Sequence, residues 1–180
     1  AAGPWPKSAQ LLVALAERLK AQGVRISYDP NFRVAMDKSY DAILVRMAAI
    51  ADLLKVSEDD LRGLFRTNDG KRAFSRLRAM NPGAAFLYTR GVKGAALYVG
   101  EQVWRATPPR ITVVDTIGAG DSSLAGMLSS LMHRPGSGWN VHLRVAIAAG
   151  AGACLTAGAT LPSEETLARL ACDVHIVGPT

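Results

Sequence analysis

Hydrophobic residues recur with helical spacing at the start of the chain and then alternate with polar ones. The first predicted helix presents a face of four leucines, Leu11, Leu12, Leu15 and Leu19. We expect Ser8 to cap its start and Gly23 to end it. Residues 24–28 alternate between apolar and polar side chains, which predicts a strand running into a turn at residues 29–31.

Helices and strands alternate along the remainder of the chain. Ser57 and Asp60 have the spacing of a capping box, which predicts that a helix begins there. Further helices are expected at residues 43–50, around Phe74, around Met127, over 143–154 and from Ser163, and strands over 52–56, 85–89, 95–99, 103–106 and 111–114. This alternation predicts a single α/β domain with a largely parallel sheet, to which the closely spaced strands between 85 and 106 add a hairpin-like element.

Charge favours an anionic ligand without specifying its class. The net charge of +6 suits a nucleotide phosphate and would equally suit nucleic acid. The basic residues are dispersed, however, and their nearest approach to a cluster has the helical spacing of a solvated face: Lys71, Arg72, Arg76 and Arg78. We therefore expect no nucleic-acid partner.

The apolar stretches are too often interrupted by glycine to predict a membrane span, and no signal peptide opens the chain. We therefore expect a cytoplasmic protein with no membrane partner. Cys154 and Cys172 lie in apolar, helix-like segments and are expected to be reduced and buried. The three histidines do not have metal-ligand spacing, so no metal role is assigned to them.

Residues 115–121, with the sequence Asp-Thr-Ile-Gly-Ala-Gly-Asp, are the most informative segment. A strand ending at Asp115 and a helix beginning near Asp121 would place free N–H groups and the positive end of a helix dipole at the glycines, which together form an anion site. A carboxylate beside an anion site suits phosphoryl transfer. The residues alone leave open a plain tight turn. They exclude a Walker A loop, which needs Gly-Lys-Ser/Thr, and a full dinucleotide fingerprint, since Ser123 replaces its third glycine.

The same segment matches in full the Asp-Thr-x-Gly-Ala-Gly-Asp signature of ribokinase-like (PfkB) sugar kinases, which the chain resembles. The resemblance implies a ribokinase-like three-layer α/β sandwich and transfer of the γ-phosphate of ATP, with Mg²⁺, to a sugar hydroxyl. It implies that Asp121 is the catalytic base and that the backbone of Gly118, Ala119 and Gly120 forms the anion hole. It also implies a monovalent cation such as K⁺ near Asp115 and Ile117.

Residues 29–33, Asp-Pro-Asn-Phe-Arg, resemble the Asp-Pro-Asn-x-Arg strand end of fructokinases. The resemblance implies that Asp29, Asn31 and Arg33 belong to the sugar and phosphate region. From the residues alone, the alternative is that Asp29 and Asn31 close a proline turn.

Two shorter matches complete the resemblance. The sequence Lys-Val-Ser-Glu resembles the fructokinase form of the Asn-x-x-Glu motif, with Lys55 in place of the Asn and Glu58 organising Mg²⁺ through water. Lys55 is accordingly assigned to nucleotide binding. Thr89, Gly91 and Gly94 match the Thr-x-Gly-x-x-Gly nucleotide loop. The alternatives are a first-turn helix acid at Glu58 and a simple hairpin turn at the glycines.

The departures from the family pattern matter as well. Residues 122–123 are Ser-Ser where the family has Ala-Phe, so we expect looser packing there. The resemblance begins partway through the family's sequence, so the N-terminal part and its lid of strands are expected to be absent and the 180 residues alone to be weakly active or inactive.

The motifs favour an ATP-dependent fructokinase whose partners are a small-molecule sugar and ATP. The alternatives are a 2-keto-3-deoxygluconate kinase, a ribokinase and a truncated, non-catalytic nucleotide-binding module. A homodimer formed by a surface other than the lid stays open.

Overall fold

The computed structural model describes residues 6–158, 160 and 162–180, and the chain divides into two compact units. The first unit ends at Tyr88 and the second begins at Thr89. Helices and strands alternate, so the predicted α/β class is confirmed. Within the described ranges, no helix has both the length and the apolar character that crossing a membrane requires.

In the first unit, helices separate short strands. Its elements are α1 (Pro6–Ala21), β1 (Ser27–Tyr28), a 3₁₀ helix (Lys38–Tyr40), α2 (Asp41–Ile50), β2 (Leu53–Ser57), α3 (Glu58–Phe65), α4 (Gly70–Met80) and β3 (Ala85–Thr89), the last residue of which begins the second unit. Strands β1 and β2 pair in parallel, with Ser27 opposite Leu53. The core of the unit includes Leu54, Val56 and Leu61, all fully buried.

Helix α1 is present as predicted, but its leucine face is not the buried one. The helix begins at Pro6, so Ser8 lies inside it and is not its N-cap. Three of the leucines are exposed, Leu11 by 72% and Leu12 by 65%, whereas Val13 is buried. Ion pairs hold the opposite face against the unit: Glu17 pairs with Arg46 and Lys20 with Asp52. Sequence periodicity identified the helix but not the charges that orient it.

The start of α3 agrees with the predicted capping residues. Ser57 Oγ accepts from the Asp60 amide at 3.0 Å and Asp60 Oδ2 accepts from the Ser57 amide at 2.8 Å, which confirms the capping box. Helix α4 ends at Met80, and Nδ2 of its C-cap residue, Asn81, donates to the carbonyls of Ala48 and Ala51 at the end of α2. One side chain therefore satisfies carbonyls that the end of α2 leaves unpaired.

Among its described residues, the second unit has three further strands and three α-helices. Its elements are a 3₁₀ helix (Gly91–Lys93), β4 (Ala95–Val99), β5 (Gln102–Thr107), α5 (Ala119–His133), α6 (Trp139–Ala153), α7 (Glu164–Asp173) and β6 (His175–Val177). Strand β4 pairs with β5, and β5 with β6, both antiparallel. Ser163 caps α7 as predicted, whereas β6 was not predicted from the sequence.

The predicted strand over residues 111–114 does not form. In the described structure these residues have no regular secondary structure, and Val113 and Val114 are exposed. The Val114 amide donates to the Cys154 carbonyl at 2.9 Å, but no ladder continues from this bond. β-branched residues favour a strand only where a partner strand pairs with them.

Helices α5 and α6 pack closely through small residues. A Cβ at Gly126 would lie 2.8 Å from that of Ala149, and one at Gly150 would overlap the hydroxyl of Ser123. Ser123 is buried and donates to the Ala119 carbonyl at 2.9 Å. The looser packing expected here was therefore wrong: serine replaces the family's phenylalanine where the facing helix has a glycine.

The two cysteines differ. Cys154 is buried at the end of α6, as predicted, but Cys172 is exposed on α7, contrary to prediction. His142 is buried on α6, where Nδ1 lies 2.8 Å from Ser130 Oγ and the ring contacts Trp139 edge-on. Burial lowers the pKa of His142, and the backbone of Ser137 opposes this effect only in part.

Candidate active site

Free backbone amides lie where α5 begins. Gly118 precedes the helix with φ of 79°, which glycine adopts without strain. The Ala119 amide donates to the Thr116 carbonyl at 3.2 Å. The amides of Gly120 and Asp121, by contrast, have no hydrogen-bond partner among the described residues. Two free donors at the positive end of a 15-residue helix are suited to an anion such as a phosphate.

Asp121 lies in the first turn of α5, beside those amides. Its side chain is exposed and makes no hydrogen bond or ion pair with the residues the structure describes. The carboxylate is therefore available to accept a proton within reach of the anion site. The role of Asp121 as catalytic base stays a prediction.

Asp115 fixes the turn on its other side. Its Oδ1 accepts from the Ile117 amide and its Oδ2 from the Gly158 amide, both at 3.0 Å. These hydrogen bonds, the one from Gly158 first, lower the pKa of the carboxyl. Gly158 was not singled out from the sequence. Its only signal there was its place in the small-residue stretch after α6.

A monovalent cation near Asp115 and Ile117 stays a prediction. Both Asp115 oxygens already accept amides, and the Ile117 side chain is apolar and 64% exposed. Each Asp115 oxygen keeps a further lone pair, as do the carbonyls of Thr116 and Gly118, which also accept amides. These oxygens are the groups that the turn could offer a hard cation. Among the described residues, no cluster of three His, Cys, Asp or Glu side chains could hold a metal ion.

In the first unit, Lys55 and Asp29 form a buried ion pair. Lys55 Nζ lies 2.8 Å from Asp29 Oδ2, and the two side chains are only 6% and 11% exposed. Burial raises the pKa of Asp29 and outweighs the opposing effect of Lys55. The ammonium that the sequence assigned to nucleotide binding is thus paired with the first residue of the Asp-Pro-Asn-x-Arg segment.

Asn31 and Arg33 are the other polar residues of that segment. Asn31 has φ of 41°, a left-handed conformation that asparagine tolerates better than most residues. Its amide donates to Asp29 Oδ1 at 3.2 Å, which closes the proline turn. Arg33 folds back so that Nη1 donates to Asn31 Oδ1 at 2.6 Å. The structure therefore brings Asp29, Asn31, Arg33 and Lys55 together.

Asp60 is a buried carboxylate for which the sequence indicated only a capping role. Besides Ser57, it accepts from the Phe32 amide, whose nitrogen lies 2.8 Å from Oδ1. Two residues separate Ser57 from Asp60, as two separate the ends of the Asn-x-x-Glu motif. Glu58, the predicted Mg²⁺ residue, lies in the first turn of α3 and pairs with Arg62 at 3.0 Å.

Thr89 is the last residue of β3, and Gly91 and Gly94 lie in the connection from β3 to β4. The Gly94 amide donates to the Gly91 carbonyl at 2.9 Å, and the Arg90 amide donates to the Gly94 carbonyl at 2.8 Å. A side chain at Gly94 would overlap the Ala106 carbonyl. Gly91 has a positive φ of 55°, so the backbone conformation alone accounts for glycine there. The role of both glycines in nucleotide binding stays a prediction.

Comparison with known proteins places this geometry in a family. The pfkB family of carbohydrate kinases matches residues 6–167. A fructokinase of Vibrio alginolyticus is 34% identical over 164 residues, covering 85% of this chain and 52% of the relative. The chain thus spans about half the length of that relative.

Solved structures give the same result. The aminoimidazole riboside kinase of Salmonella enterica, complexed with aminoimidazole riboside and an ATP analogue, superposes with a TM-score of 0.79 at 29% identity, over 88% of this chain and 56% of that one. The fructokinase of Vibrio cholerae O395, with fructose, ADP and calcium bound, gives 0.76 at 26% identity, over 91% and 56%. The chain belongs to the pfkB family of carbohydrate kinases.

Proposed function

We propose that this chain provides the phosphate-handling part of an ATP-dependent sugar kinase, with fructose as the acceptor. The observation that supports this most directly is the start of α5, where the unpaired amides of Gly120 and Asp121 adjoin the exposed carboxylate of Asp121. Phosphoryl transfer needs little covalent chemistry from a protein. It needs a positioned anion site and a proton acceptor, and the unpaired amides and the Asp121 carboxylate are suited to these two roles.

The described residues fit a bound MgATP. The free amides at α5 would hold the transferred phosphate, and the carboxylate of Asp121 would accept the proton of the sugar hydroxyl. When bound, Mg²⁺ neutralises charge on the phosphate oxygens and keeps several waters. A water that Mg²⁺ keeps could accordingly connect the ion to Glu58, as the resemblance implies. K⁺ near Asp115 remains part of the proposal.

The choice of fructose rests on relatives and on residues 29–33. Fructokinases of two Vibrio species are similar to the chain. The aminoimidazole riboside kinase superposes equally well, so a ribosyl acceptor is the second candidate. Ribose and 2-keto-3-deoxygluconate remain as further alternatives. Sugar and ATP are the proposed partners, in a cytoplasmic protein whose dimerisation is left open.

Calorimetric titration with MgATP tests the nucleotide site. We expect the wild-type chain to bind and Gly118→Val to lose binding at least about tenfold, because a side chain there obstructs the anion site and strains a positive φ. Gly100→Val is the matched control: Gly100 also has positive φ, in the β4–β5 turn, with no atom near its absent Cβ. Equal losses in both variants would count against the anion site.

Turnover tests the reaction. In the complete gene product that contains this chain, we expect phosphorylation of fructose in a panel with ribose, aminoimidazole riboside and 2-keto-3-deoxygluconate. Asp121→Asn should lower kcat by about a thousandfold with little change in KM, since it removes the proton acceptor. Nucleotide binding without turnover of any sugar would leave the non-catalytic module as the better description.

A further inference from the structure

Phe32, which no motif singled out, is held by helix α3 at two points. Its amide donates to Asp60 Oδ1 at 2.8 Å, and Asp60 is itself fixed by the amide and hydroxyl of Ser57. Its ring lies against the backbone of Gly63, so closely that a Cβ at residue 63 would overlap the ring. The backbone and the side chain of Phe32 are thus both set by α3.

The contact with Phe32 explains why glycine, which destabilises a helix, occupies position 63. Residue 63 lies inside α3, where glycine destabilises a helix relative to alanine. The space that a side chain would fill is occupied by the Phe32 ring. Gly63 therefore lowers the stability of α3 but leaves room for the Phe32 ring.

Phe32 stands between the two polar residues of the turn. Asn31 has the left-handed backbone, and the Arg33 guanidinium donates to Asn31 Oδ1 and, at 3.0 Å, to the Phe32 carbonyl. The other end of the turn is held by the ion pair of Asp29 with Lys55. A shift of Phe32 would accordingly move both polar side chains, whereas the Asp29 end would stay anchored.

We propose that α3 positions the turn of residues 29–33 through Phe32, with Asp60 and Gly63 as positioning residues for the acceptor sugar. The inference rests on the proposed function, in which Asn31 and Arg33 face the sugar and phosphate region. Recognition of the acceptor sugar would then depend on α3 even if no side chain of α3 contacts the sugar.

The test compares Gly63→Ala with Gly70→Ala in the complete gene product. Both changes add one methyl group to a helix of the first unit, but a Cβ at residue 70 meets only the Tyr88 hydroxyl, at 3.7 Å. For Gly63→Ala we expect hydrogen exchange at the Phe32 amide to rise about tenfold and KM for the sugar to rise about tenfold, with kcat and KM for MgATP changed by less than about twofold. Gly70→Ala should match the wild type.

A double variant distinguishes a positioning role of Gly63 from general destabilisation of the chain. Phe32→Leu gives the ring's space to a smaller side chain, so Phe32→Leu with Gly63→Ala should have a sugar KM within about twofold of Phe32→Leu alone. Unchanged exchange in Gly63→Ala would overturn the anchoring. Faster exchange with an unchanged sugar KM would overturn the positioning role, as would additive losses in the double variant. If the wild type phosphorylates no sugar, the proposed function fails together with the acceptor role, and exchange alone still decides whether Phe32 anchors the turn.

Discussion

At the scale of single residues, the ion pair of Lys55 and Asp29 shows how much a buried charge depends on its partner. Lys55→Met leaves the Asp29 carboxylate buried without a counter-charge. We expect a loss of about 3 kcal/mol in the free energy of unfolding, measured by urea denaturation, because an uncompensated buried charge is strongly unfavourable. Lys71→Met, at an exposed lysine of the same unit, should have little effect.

A second substitution checks the cause of that loss. In the Lys55→Met background, Asp29→Asn removes the unpaired charge and should recover part of the stability. A loss that Asp29→Asn leaves unchanged would point to packing of the lysine stem and not to charge.

His142 gives a prediction in pH. Because burial lowers its pKa below the ordinary value of 6.5, the folded chain binds a proton at His142 less readily than the unfolded chain does. The free energy of unfolding should therefore be highest above pH 6.5 and should fall as the pH drops from there toward the lower folded pKa.

Urea denaturation between neutral and mildly acidic pH measures this dependence. His142→Gln should flatten the slope, whereas His133→Gln, at an exposed histidine of α5, should leave it unchanged. An equal slope in wild type and His142→Gln would assign the effect to other groups.

At the scale of elements, the contact of α5 with α6 leaves no room for the family's aromatic residue. We expect Ser123→Phe to destabilise the chain by about 3 kcal/mol, since the ring would have to enter the space against Gly150. Thermal unfolding measures the change. Ser129→Phe places the same ring on the exposed face of α5 and is the control. A Ser123→Phe chain as stable as the wild type would mean that the helices can separate to admit the ring.

Capping chemistry explains which element predictions were confirmed. Ser57 with Asp60, and Ser163, form local hydrogen bonds, which a sequence specifies over four residues. Orientation and pairing depend on distant residues instead. The exposed leucines of α1 lie opposite a face that ion pairs with other elements fix. Residues 111–114 have the composition of a strand but no partner strand among the described residues.

The candidate site was predictable to a similar degree. Motif residues 115–121 form the expected turn and helix start, because glycine at a positive φ and a first-turn acid are local features. The pairing of Lys55 with Asp29, the hydrogen bond from Gly158 to Asp115 and the contact of Phe32 with Gly63 join residues far apart in the chain. No spacing in the sequence indicates them.

At the scale of the whole molecule, the length of the chain relative to a fructokinase predicts how active residues 1–180 are on their own. The chain spans about half of the fructokinase relative from Vibrio alginolyticus. We expect residues 1–180 to bind MgATP within about tenfold of the complete gene product, but to phosphorylate fructose at about one hundredth of its rate or less, because transfer needs an aligned acceptor. Calorimetry and a coupled ADP assay measure the two quantities. Equal rates would show that this chain holds the acceptor unaided.

The close contact of α5 with α6 also restricts how this sequence can vary. Ser123 and Gly126 face α6, whereas Ala125 and Ser129 face solvent on the same helix. Tolerance to substitution should therefore rise and fall every three to four positions along α5, in step with the helical repeat. Homologous lineages that keep this contact would accumulate changes on the outer face while the inner positions stay small.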